Sequence, residues 1–216
     1  MSNKRDAPPS RPKPLKRPTQ SRAKATVQAI FDTYVRIWQR DGWERVTTRA
    51  IALEAGVAVG TLYDYFPSKQ ALHSGYVRHC IEVLLQAVDE QAVQPKDLSW
   101  QQRLSRLVRL LCGAEGAISW FHPEMLELEP MVADQKHQRR AYDELLGAWR
   151  CVFAVATDLP SQPSDATLEA LHLAVWGGRR YAMLVQLDAT AMTTWAEQMQ
   201  CFCQLAIRTA VLDDDT

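Results

Sequence analysis

The apolar residues of this chain return with a period of 3.6, and that repeat restricts the fold more than any other feature. Val27, Ile30, Phe31, Tyr34 and Trp38 stand at i, i+3, i+4, i+7 and i+11, which is one stripe along one helix. The stripe ends at Asp41-Gly42. After each later interruption, at Pro95, His122-Pro123, Pro130 and Pro160–Pro163, the helical period resumes. No alternating apolar and polar run bounded by turn residues occurs anywhere. The spacing predicts an all-α chain, with helices over about 21–41, 49–55, 59–66, 69–93, 99–119, 124–133, 135–158, 164–188 and 191–212. No repeat of solenoid period is present.

A length of 216 residues, with 47% hydrophobic and 23% charged side chains, supplies a core without staples and excludes wholesale disorder. No run approaches the roughly 18 apolar residues of a membrane span, and the first 20 residues lack the apolar centre of a signal peptide. The expected location is the cytoplasm. Five cysteines, at 80, 112, 151, 201 and 203, form an odd set inside apolar helical patterns, so reduced core thiols are expected rather than a disulfide framework. Cys201 and Cys203, two apart on one helix, point to nearly opposite faces, which disfavours a shared metal.

The net charge is zero, but it is not evenly spread. Residues 1–72 carry 13 Lys and Arg against 6 Asp and Glu, whereas residues 73–216 carry 12 against 19. A basic part of this kind suits an anionic partner. Its first 20 residues combine five prolines with Lys4, Arg5, Arg11, Lys13, Lys16 and Arg17 and almost nothing apolar, so a disordered basic arm is expected over 1–20. Such an arm either tracks phosphates and a minor groove or simply solubilises the chain.

Between the first long helix and Lys69, two short helices follow each other closely. Thr47 and Thr48 can cap the first, which ends at Gly56, where a turn requires a positive φ. Ala52 is small where the two helices approach, and Val57, Leu62 and Phe66 supply an apolar plug. Thr61, Tyr63, Asp64 and Tyr65 are then left facing outward, with Ala58, Val59 and Gly60 at the N-terminal end. In a helix-turn-helix, that end enters the major groove.

Residues 47–72, TTRAIALEAGVAVGTLYDYFPSKQAL, closely resemble the DNA-binding signature of the tetracycline-repressor-like (TetR) family of bacterial transcriptional regulators, most recognisably in the run Gly-Thr-Leu-Tyr-x-Tyr-Phe-Pro-Ser-Lys. The resemblance implies a dimeric repressor with a three-helix DNA-binding domain over 21–68 and a helical regulatory and dimerisation domain over 69–216. By position, it implies that Thr47, Thr48 and Arg49 contact phosphates or a base. Ala58, Val59, Gly60 and Thr61 form the leading edge of the recognition helix, and Tyr63, Tyr65 and Lys69 reach further backbone and base edges. Ala58 and Val59 replace a pair that is polar in many members. Specificity is therefore expected to lean on Arg49, on thymine methyl groups and on DNA shape.

The last two helices carry apolar stripes. Ala170, Ala174, Gly178 and Ala182 recur every four residues, and Met192, Trp195, Met199, Phe202 and Ala206 alternate three and four apart. Both stripes suit either the chain's own core or a seam between two copies, and the resemblance implies the seam, as a four-helix bundle. It also implies that Trp100, Trp120, Phe121, Trp149 and Phe153 fall in segments around a pocket for a small effector, although aromatic residues in helices mostly serve as core. Aromatic walls suit an apolar effector, while Glu115, Glu124, Glu127 and Glu129 suit a cationic one or form a solvated face. His122, His137 and His172 show no metal-ligand spacing, and no catalytic or phosphate-loop motif is present. Neither enzyme, metal nor cofactor is expected. The expected partners are double-stranded operator DNA, a second copy and an effector, with no membrane. A helical enzyme or ligand carrier, or a DNA-architectural protein without a cavity, would fit the same helices if the basic face or the pocket were missing.

Overall fold

Described residues are 21–113 and 120–213 of a computed structural model, so the basic arm over 1–20 and Glu115 lie outside the described residues. Every regular element among them is helical. In chain order they are α1 (Ser21–Asp41), a 3-10 turn at Trp43–Arg45, α2 (Thr48–Glu54), α3 (Val59–Tyr65) and α4 (Lys69–Val88), which passes into a π turn at Asp89–Val93. Then come α5 (Trp100–Cys112), α6 (Glu124–Val132), α7 (Gln135–Ala154), α8 (Asp165–Leu184) and α9 (Ala189–Asp213). The all-α expectation holds.

Three helices end earlier than expected, α7 at Ala154 rather than 158, α8 at Leu184 rather than 188, and α5 most of all. The helix read as running to 119 stops at Cys112, because Gly113 adopts φ 74 and its N–H turns back to the Arg109 and Leu110 carbonyls. Pro130, read as a break, sits inside α6, two residues before its end.

The described residues form two compact units, 21–78 with 128–134, and 79–113 with 120–127 and 135–213. In the first unit, the stripe of α1 is buried as expected and closes on the start of α4. Tyr34 Oη lies 2.8 Å from His73 Nδ1, Phe31 and Tyr76 meet edge to face at 5.6 Å, and Trp38 packs on Trp43 at 5.0 Å. Rings at these separations add about 0.5–1.5 kcal/mol per pair beyond their burial.

The second unit gathers Leu104, Leu107, Leu111, Leu145, Trp149, Phe153, Leu171, Val175, Cys203 and Ile207 into one buried cluster. Its entrance is fixed by α5. Ser99 and Gln102 form a reciprocal capping box, and the Asp158 carboxylate accepts from the Trp100 N–H at 3.0 Å. Arg103 is buried, and it donates to the carbonyls of Ala92 and Pro95 at 2.7 Å and of Val93 at 3.0 Å. One guanidinium thus satisfies three acceptors that the irregular chain after α4 leaves without helical partners.

Candidate nucleic-acid interface

Thr47 is extended and accepts from the Ala50 N–H at 3.1 Å, which makes it the N-cap of α2. At the other end, the Gly56 N–H returns to the Leu53 carbonyl and the Val57 N–H to the Ala52 carbonyl, a Schellman closure around a φ of 67. A Cβ at Gly56 would meet nothing within 4 Å. Backbone conformation rather than space demands the glycine. The closure turns the chain into α3 within a few residues, and Ile51, Ala52, Leu62 and Phe66 lock the two helices with no exposed surface beyond 3%.

That locking decides what α3 presents. Ala58, Val59, Gly60, Tyr63 and Asp64 are exposed and Thr61 is half-buried, while Thr47 and Arg49 stand exposed on α2. The Thr48 and Tyr63 hydroxyls approach to 3.1 Å, which joins the N-terminus of α2 to the outer face of α3. Arg36 and Arg40 of α1 are engaged elsewhere, since both reach Glu54, at 3.4 and 3.1 Å. The hydrogen bond from Arg40, supported by one from Arg36, holds the Glu54 carboxyl below its usual range. Those pairs fasten α1 to α2, while Arg45 and Arg49 are exposed.

Two residues expected on this surface are not available there. Tyr65 is buried, because it lies one helical turn from Leu62 and shares its inward face, where its ring sits 6.3 Å from that of Phe66. Lys69 is turned inward as well. Its ammonium donates to the Trp43 carbonyl and lies 3.7 Å from the centre of the Trp43 ring, a cation–π contact that ties α4 to the turn after α1.

In the second unit, Trp100, Trp149 and Phe153 are buried in one cluster, while Trp120 and Phe121 are half-buried, with Trp120 stacked on His122 at 5.8 Å. Glu127 is exposed, and Glu124 and Glu129 are half-buried. Among the described residues no three His, Cys, Asp or Glu side chains converge as metal ligands. No helix among them is long and apolar enough to cross a membrane.

The stripes on α8 and α9 are partly covered within the chain itself. Trp195 of the same chain covers Gly178 so closely that a Cβ there would lie 2.7 Å from the ring, and Ala182 is buried. The groove at Gly178 therefore receives the chain's own α9. Ala174, Met192 and Met199 are half-buried, and only Ala170 and Phe202 of the expected set are exposed. The exposed large apolar side chains here are Leu173, Tyr181 and Leu184 on α8, Val185 just past its end, and Phe202 and Leu205 on α9. The sequence carries this second stripe too, at 173, 177, 181 and 184. Nothing in the spacing says which of two stripes turns inward.

Residues 30–74 match the family model described as bacterial regulatory proteins, tetR family. A 40-residue segment is 55% identical to the HTH-type transcriptional repressor KstR of Mycolicibacterium smegmatis, covering 18% of this chain and 20% of that protein. The matched segment thus spans about a fifth of the relative's length. Among solved structures, a TetR transcription regulator from Haloarcula marismortui superposes with a TM-score of 0.62 at 16% identity, over 87% of this chain and 98% of its own. SmeT in complex with triclosan superposes with a TM-score of 0.53 at 18% identity, over 82% and 90%.

Proposed function

We propose that the chain, whose residues 30–74 match the model of the tetR family of bacterial regulatory proteins, is an effector-responsive transcriptional repressor that binds a palindromic operator as a homodimer. One observation carries the DNA-binding part. The N-terminal end of α3 stands clear of the core beside the exposed Thr47 and Arg49, and the Thr48–Tyr63 hydroxyl pair holds the two helices in register. Thr47, Thr48 and Tyr63 engage phosphates, and Arg49 with Ala58, Val59, Gly60 and Thr61 meets base edges. Two copies would set two such edges about one helical turn of DNA apart, roughly 34–36 Å.

For the second copy, the support is the set of large apolar side chains left exposed on the last two helices, Leu173, Tyr181 and Leu184 on α8 with Phe202 and Leu205 on α9. For effector response, the support is the helical C-terminal unit and the ligand carried by one solved neighbour of the same fold, SmeT with triclosan. Only Phe66, Pro67 and Ser68 separate α3 from α4, and Phe66 is buried. A displacement of α4 therefore repositions α3, and an effector that prefers the displaced state releases the operator by population shift.

Duplexes enriched from a random pool by the full chain, measured by fluorescence anisotropy, test this. The enriched duplex should bind at least about a thousandfold more tightly than random DNA, with affinity falling steeply between 50 and 200 mM salt. Arg49→Ala should relax preference at one position of each half-site by about 1–3 kcal/mol, whereas Tyr63→Phe should weaken all duplexes alike. Equal affinity for enriched and random duplexes would remove the repressor reading. In sedimentation, Leu205→Glu should turn a dimer into a monomer, and a parent that is already monomeric at micromolar concentration would remove the dimer.

A further inference from the structure

The one charged side chain on α3 has the sign that DNA repels. The helix reads Val-Gly-Thr-Leu-Tyr-Asp-Tyr, and its carboxylate is Asp64. Gly60 and Asp64 each stand two residues from the fully buried Leu62, which at about 100° per residue puts both about 160° round the helix from it. Four residues apart, the two make a single ridge, the one turned farthest from the core, and both are exposed. If α3 enters a groove, this ridge goes in deepest.

Gly60 bears on how deep that is. A Cβ there would meet nothing within 4 Å, and its φ is that of any helical residue, so neither packing nor backbone calls for a glycine that makes the helix weaker than alanine would. What the missing side chain supplies is a bare stretch of backbone that an outside body can approach closely. Close approach matters to Asp64, whose short side chain reaches little beyond the helix surface. The rest of the face offers few free polar groups. Ala58 and Val59 carry none, Thr61 is half-buried, and the Tyr63 hydroxyl is joined to that of Thr48.

An ionised carboxylate only accepts hydrogen bonds, and among phosphates it is repelled unless a base donor meets it. The major-groove donors are the N4 amine of cytosine and the N6 amine of adenine. Adenine's stands beside the N7 acceptor, which faces a carboxylate unfavourably, whereas cytosine presents its donor alone. We propose that Asp64 is a specificity-determining residue of the operator contact: brought close to the base pairs by the bare ridge at Gly60, it accepts from cytosine N4 at one position of each half-site and repels sequences without that donor. The inference rests on the operator-binding reading above and adds to it the identity of one base pair.

Enrichment of duplexes from one random pool by the full chain, run in parallel for the parent, Asp64→Asn, Asp64→Ala and Gly60→Ala, tests the assignment, with affinities read by fluorescence anisotropy and folding by thermal melts in circular dichroism. The parent should select a C·G pair at one position of each half-site, and changing that pair to T·A should weaken its binding at least about tenfold. Asp64→Asn should select A·T at the same position, because an amide offers adenine both a donor and an acceptor. Asp64→Ala should lose the preference there and nowhere else, and should bind random duplex more tightly than the parent, since a repelling charge is gone. Gly60→Ala should melt no lower than the parent yet bind the parent's selected duplex at least about tenfold more weakly, the value of the contact it holds off. The proposal falls if Asp64→Ala selects the parent's sequence, if the position it frees holds a pair other than C·G, if Asp64→Asn keeps C·G, or if Gly60→Ala binds with the parent's affinity. A parent that selects no sequence removes the operator-binding reading itself, an outcome distinct from a parental selection that survives Asp64→Ala.

Discussion

Replacing either of two adjacent glycines in α8 by alanine should change stability in opposite directions. Gly178 has Trp195 against it, so an added Cβ would sit 2.7 Å from the ring carbon Cζ2, whereas a Cβ at Gly177 meets nothing within 4 Å. Carbon atoms rest at about 3.5–4.0 Å, so Gly178→Ala requires the indole to withdraw by about 1 Å, and it cannot do so freely because it packs against the buried cluster. Overpacking of this size costs about 1–3 kcal/mol, against about 1 kcal/mol gained when alanine replaces glycine inside a helix. Gly178→Ala should therefore lose about 1 kcal/mol, and Gly177→Ala should gain up to about 1 kcal/mol. For a chain of this size the difference is about 4–8 °C in melting temperature. Circular dichroism in urea and on heating, at one fixed protomer concentration, measures both. Gly147→Ala in α7, which also meets nothing within 4 Å, serves as a second reference and should follow Gly177→Ala. Adding Trp195→Phe should return part of the loss in Gly178→Ala but none in Gly177→Ala. If Gly178→Ala is as stable as Gly177→Ala, the intrachain contact is absent and the groove is open to a partner after all.

Three further outcomes follow from the packing. Arg103→Ala leaves the carbonyls of Ala92, Val93 and Pro95 without their donor and should cost about 3 kcal/mol or more in urea denaturation, so a loss below 1 kcal/mol would contradict the three bonds. Gln186 closes α8 with φ 55, a conformation that favours glycine, so Gln186→Gly should stabilise by about 1 kcal/mol, and an unchanged midpoint would refute the left-handed closure. Burial pulls His172 down to about 4 from its ordinary 6.5, so between those values the unfolded chain binds a proton that the folded chain does not. Stability should therefore fall as the pH is lowered from about 6.5 to about 4, by at most about 3 kcal/mol. His172→Gln should flatten the unfolding free energy measured over that window, and an unflattened profile would place the titration elsewhere.

Much of the DNA-facing half was legible because its determinants are local. A cap hydroxyl at Thr47, a left-handed glycine at 56 and apolar residues at 51, 62 and 66 act over a few residues, so their spacing already states which backbone they permit. The end of α5 was in principle just as local. Gly113 is a stop signal for a helix, and passing over it extended the helix to 119. Tyr65 and Lys69 needed more than spacing. Whether a tyrosine one turn from Leu62 faces out, or a lysine at a helix start stays in water, depends on which surface covers it. Here Phe66 and Trp43 supply that surface from elsewhere in the chain.

The all-α class, the helix-turn-helix and its outward edge were thus determined by the chain's own 3.6 period and its turn chemistry. Tertiary structure alone decided the choice between rival faces. On α8 two stripes of nearly equal apolar character compete, and the glycine at 178 wins the inward place because Trp195 on α9 fills its missing side chain, which leaves Leu173, Tyr181 and Leu184 outside. The same rotation of α8 carries His172 inward, a polar residue that spacing alone would have put on a solvated surface. A helix face has no intrinsic inside, and burial becomes a property of a residue only once a neighbouring helix is there to cover it.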